Sequence, residues 1–129
     1  MADALLEALT GSWKQTGLEF KMSDNGEIIR KDFRGFCNFD ANGRWTVVTM
    51  PMDSTKPETD QERIELYNWL VAFSSRCRVE ADGIVAAIDV AWNPAFLGAE
   101  IYRGVSLDGD RLTRRHTCGT RERNSSRLR

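Results

Sequence analysis

Hydrophobic and polar residues alternate in the first strand-like run of this chain, and further runs rich in β-branched and aromatic residues follow between turn signals, the pattern of a strand-built domain. Residues 13–22 read as a first strand through alternating Leu18, Phe20 and Met22, and Ser23-Asp24-Asn25-Gly26 follows with residues suited to a tight turn. The turn signal recurs at Asp40-Ala41-Asn42-Gly43, Ala81-Asp82-Gly83 and Asp108-Gly109-Asp110, each between runs rich in β-branched and aromatic residues. Those runs are 27–30, 33–39, 44–50, 71–80, 84–92, 99–107 and 111–118, which with the first strand make eight. The pattern predicts an all-β, antiparallel, up-and-down barrel, and eight strands can close around a space for one small ligand.

Two segments depart from the alternation. Leu5, Leu6 and Leu9 share one side of a short amphipathic helix, Ala2–Leu9, which Thr10-Gly11 stops. It is short enough to plug a barrel end. Residues 51–57 read as a loop, and Thr59-Asp60-Gln61-Glu62 then forms a capping box that starts a helix from Asp60 to Trp69. Ile64, Tyr67 and Val71 fall at helical spacing, so one face is expected to pack on the barrel while Glu62, Arg63 and Glu65 face water. Lying in the one long crossover, this helix covers a barrel edge or forms a lid over the cavity mouth.

Composition narrows the setting. The 129 residues fit one domain, expected over 1–118, and no apolar run approaches the roughly 18 residues of a membrane span. Acids near the first residue and a broken apolar stretch argue against a secretory signal, so a cytoplasmic location is expected. Cys37, Cys77 and Cys118 lack close pairing and read as small apolar strand residues; a zinc site with His116 is the weaker alternative. The net charge of −1 hides an asymmetry, because the chain from Arg111 onward carries seven arginines against Glu122 alone. Residues 119–129 read as a basic, solvated and partly disordered tail. With no aromatic residue to stack on bases, nucleic acid is a poor fit for it.

Gly11-Ser12-Trp13 at the head of the first strand, followed by the meander, resembles the lipocalins of the calycin superfamily. More narrowly, the chain is similar to small bacterial and fungal lipocalin-like proteins over about residues 5–115. Three further stretches carry that resemblance: Arg34-Gly35-Phe36-Cys37-Asn38-Phe39-Asp40-Ala41-Asn42-Gly43-Arg44, Asn93-Pro94 through Arg103, and Leu107-Asp108-Gly109-Asp110-Arg111-Leu112-Thr113. After Thr113 the family pattern would continue an apolar-alternating strand, whereas Arg114-Arg115-His116-Thr117-Cys118 is polar. The resemblance implies a barrel end sealed by Trp13 against a basic side chain, with Arg103, Arg114 or Arg115 as candidates.

Polar groups aimed into such an interior are the handle on function. Phe36, Asn38, Trp45, Phe73, Trp92 and Arg103 are the candidate ligand-binding residues, and Glu19, Tyr102, Arg103 and His116 the candidates for any catalysis. Arg103 leads both, since an arginine flanked by apolar positions must be paired or bind an anion. Asp89 lies outside if Ile84, Ala86, Ile88, Val90 and Trp92 face inward, and enters the cavity if the strand bulges. The chain shows no GxSxG elbow, glycine-rich phosphate loop or HExxH pair. The expectation is a barrel that binds a small hydrophobic or aromatic molecule, without metal or cofactor and without contact to a membrane. A cofactor-independent isomerase, cyclase or lyase in the same cavity is the alternative. A homodimer or other assembly through the tail or a strand edge is the third reading.

Overall fold

Where the sequence supplies Gly and Asx residues the chain turns, and between those turns it pairs with itself. A computed structural model of the chain describes residues 2–21, 28–116 and 121–127, with side chains over 4–15 and 32–114. Its elements are α1 (Ala2–Leu9), β1 (Gly11–Lys21), β2 (Ile28–Lys31), β3 (Phe33–Phe39), β4 (Arg44–Pro51) and α2 (Asp60–Trp69). They continue with β5 (Val71–Glu80), β6 (Gly83–Ala91), β7 (Glu100–Asp108), β8 (Arg111–His116) and β9 (Arg121–Arg127), and a 3-10 turn, Pro94–Phe96, joins β6 to β7. No described helix is long and apolar enough to cross a membrane.

All described strands join one antiparallel sheet in the order β2-β1-β3-β4-β5-β6-β7-β8-β9. A seven-strand run of this meander curls through 289° into a half-barrel, consistent with a calycin-like fold. β2 and β3 lie successively along β1, at Leu18↔Lys31 and at Trp13↔Cys37. β9 pairs with β8 and also with β1, from Trp13↔Arg127 to Phe20↔Arg121.

β9 falls inside the segment expected to be a partly disordered tail. Arg-Glu-Arg-Asn-Ser-Ser-Arg has no apolar alternation to announce a strand. What β9 offers instead is backbone N–H and C=O groups, which pair with the strands on either side of it.

The core follows strand parity. β3 alternates strictly, with Phe33, Gly35, Cys37 and Phe39 buried and Arg34, Phe36 and Asn38 exposed. Trp45 and Val47 of β4, Ile84 and Ala86 of β6, and Leu112 of β8 join Leu9, Trp13, Cys37 and Phe39 in one cluster. Gly11 links α1 to β1 at φ 130°, a backbone conformation that a side chain at Cβ opposes. That sharp junction brings the Trp13 indole N–H back to donate to the Leu9 carbonyl at 2.8 Å. Glycine two residues before tryptophan therefore has a geometric reason here.

α2 departs from expectation. Its capping box forms, with the Thr59 hydroxyl accepting from the Glu62 N–H at 3.1 Å. Yet no α2 residue is buried, and Ile64 and Tyr67 are 52% and 45% exposed. The spacing of Ile64, Tyr67 and Val71 does not produce a packed face, because the helix ends at Trp69 and Val71 belongs to β5. α2 is held instead through the Tyr67 carbonyl, which accepts from the Trp92 indole at 3.1 Å, and through Trp69, whose ring lies 6.2 Å from that of Phe33.

Candidate functional site

Strand direction divides the ends of the sheet. The short turns β3–β4, β5–β6 and β7–β8 share one end, where α1 packs against β5. At the other end lie the α2 crossover and the 3-10 turn. Asn93 shapes that turn, its side-chain oxygen accepting from the Ala95 N–H at 3.0 Å ahead of Pro94.

A cavity of about 140 Å³ opens on the α2 side, lined by Trp45, Val47, Val71, Phe73, Ile88, Trp92, Phe96, Ile101, Arg103 and Arg114. Its wall is built on aromatic contacts. Trp45 stacks on Phe39 at 5.4 Å and meets Phe73 edge-on at 5.2 Å, while Trp92 stacks on Phe96 at 5.2 Å. Trp92 thus holds the mouth from both sides, by its ring on the 3-10 turn and its N–H on α2.

Four expected residues, Trp45, Phe73, Trp92 and Arg103, come together in this lining. Phe36 and Asn38 stand on the outer face with Ser12, Thr46 and Val48, in a separate shallow hollow. Parity decides this, since Cys37 between them points into the core. Tyr102 also lies away from the cavity, donating its hydroxyl to Asp82 at 2.6 Å. That hydrogen bond, followed by desolvation, pushes the phenol above its ordinary value. The side chains of Glu19 and His116 lie outside the described residues, as do Arg115 and Cys118.

Asp89 shows how a bulge can leave a carboxylate outside. The β5–β6 register slips at this point, Ser74 facing Val90 and Ser75 facing Ile88, so Asp89 is the extra residue. It stays at the surface in a two-pronged pair with Arg44 at 2.8 and 2.9 Å. The Arg44 hydrogen bond holds the Asp89 carboxyl below its ordinary value. Past the bulge Val90 turns out to 61% exposure and Ala91 pairs with inward-facing Phe73. Of the expected inward run, Val90 is therefore displaced.

Arg114 is the residue that sequence reasoning undervalued. Expected only as a partner for Trp13, it is 3% exposed, lines the cavity and places its guanidinium 5.1 Å from the Trp45 ring centroid. Its Nε finds no hydrogen-bond partner, and neither does the Trp45 Nε1. Burial pushes Arg114 below its ordinary value, with Cys37 acting in the other direction. Arg103 sits in the same wall and donates to the Tyr102 carbonyl at 3.0 Å. On β1, Gln15 is 4% exposed and both polar atoms of its amide lack a partner. Parity carried the missed signal: with Leu112 inward, Arg114 two residues on must face inward too.

Among the described residues no group of His, Cys, Asp or Glu is arranged to hold a metal ion, and Cys37 and Cys77 are free thiols. The chain matches no protein-family model, and no curated protein is significantly similar to it.

Proposed function

We propose that this chain is a small-molecule binding protein of lipocalin-like build. In this reading β9 closes the sheet on β1 into an eight-stranded barrel, with β2 and β3 acting as one interrupted strand. The cavity between α2 and the 3-10 turn takes a small hydrophobic or aromatic molecule. The observation that carries the reading is the lining: apolar and aromatic side chains from β4, β5, β6 and β7 converge there with two arginines. A cavity of about 140 Å³ that also opens on the α2 side suits a small aromatic molecule somewhat larger than benzene, since an enclosed apolar cavity of roughly 150 Å³ already accepts benzene. Binding is preferred to catalysis because the titratable groups of the described lining are arginines, which stay cationic and hold a ligand rather than relay protons.

Titration calorimetry with indole tests this. Wild-type protein should take up indole saturably, and Val71→Phe, which fills the cavity, should lose that uptake while keeping its circular dichroism spectrum. Undiminished uptake by a folded Val71→Phe protein would place the ligand elsewhere.

A further inference from the structure

We infer that the ligand of this cavity is an organic anion, a one-ring aromatic carboxylate whose head meets Arg114 and whose ring lies among Trp45, Phe73 and Trp92. The inference rests on the cavity-binding reading and adds the charge of the occupant. Two cavity-wall groups, the Arg114 Nε–H and the Trp45 Nε1–H, are buried and unpaired. Both are donors without acceptor capacity, so the ligand atom that satisfies them is an acceptor. One donor belongs to a guanidinium that remains charged at neutral pH, so that acceptor is favoured as an anion.

The described lining contains no carboxylate to neutralise Arg114; Asp89 pairs with Arg44, Glu80 and Glu100 with Arg78, and Asp60 with Arg63. A buried cation without a counter-charge is costly to keep, and a native structure that keeps one calls for an ion or ligand to complete it. Arg103 adds a second positive charge to the wall. The shape sets the rest of the ligand. A cavity of about 140 Å³ beside a T-shaped Trp45–Phe73 pair leaves room for one flat ring and a short acidic arm.

The test is equilibrium binding of phenylacetate and its neutral isostere phenylacetamide at neutral pH and low salt, with indole as a reading of the cavity alone. Wild-type protein should bind phenylacetate about tenfold or more tighter than the amide, the usual worth of a charge-assisted hydrogen bond. Arg114→Met should abolish that preference while keeping indole uptake. If Arg114→Met does not fold, Arg114→Gln serves, and the wild-type ratio decides by itself. Equal affinities for the acid and the amide alongside normal indole uptake would overturn the anion inference and leave the cavity reading standing. Failure of all three probes would overturn both.

Discussion

Replacing Arg114 by methionine should make the unliganded protein more stable. The side chain is 3% exposed and its Nε is unpaired. Leaving a buried polar donor unsatisfied costs about 1–3 kcal/mol, more when it is charged. Methionine keeps a long flexible side chain in the space and removes that penalty, at the loss of a cation–π contact with Trp45 worth about 0.5–2 kcal/mol. With the middle of each range and the added cost of the charge, the net gain expected is about 1 kcal/mol. For 129 residues an unfolding entropy of about 2.1 cal/mol/K per residue converts each kcal/mol into about 4 °C, so Tm should rise by about 4 °C. Thermal unfolding followed by circular dichroism, in a buffer free of organic acids, measures it. Arg114→Lys, which keeps the charge, should bring no such gain. An unchanged or lower Tm for Arg114→Met would mean instead that the protein itself compensates the guanidinium.

Three other positions give independent checks. Gly83→Ala should destabilise the protein by about 2 kcal/mol or more, read from urea unfolding, because its Cβ would collide with the Arg103 carbonyl oxygen and lie 2.7 Å from the Tyr102 hydroxyl. The Cys77 thiol is pushed up from 9.0 to about 11 by burial, so iodoacetamide labelling should reach half its maximal rate near the higher pH. Because its folded value is the raised one, the stability that Cys77 contributes is complete below 9.0 and is lost as pH rises through about 11; Cys77→Ala should remove that part of the decline. For Asp89, whose carboxyl Arg44 holds below 3.8, Arg44→Met should move the NMR titration midpoint upward.

The period-two pattern and the Asx-Gly turns made most of the sheet legible, because burial on one face forces that alternation and the turns need those residues. β9 was not legible: its pairing is made by the backbone, and its side chains carry no apolar rhythm. The same limit explains the site. Alternation showed that Phe36 and Asn38 share a face of β3, but only the burial of Cys37 and Phe39 shows that it is the outer one. Trp45 and Phe73 follow parity into the cavity, whereas Trp92 reaches its lining past the bulge at Asp89, which no local residue pattern announces. Arg114 was hidden by its chemistry: beside Arg115 and His116 it breaks the apolar alternation, and the resemblance offered it only as one of three partners for Trp13.

The proposed entry of a small aromatic molecule into the sheet between α2 and the 3-10 turn is open to one decisive measurement, two-dimensional amide NMR of isotopically labelled protein during an indole titration. Saturable shifts should concentrate at Val47, Val71, Phe73, Ile88 and Ile101, with the Trp45 and Trp92 indole N–H signals moving at the same midpoint. Shifts confined to Ser12, Phe36, Asn38 and Val48 on the outer face, or none that saturate, would contradict it.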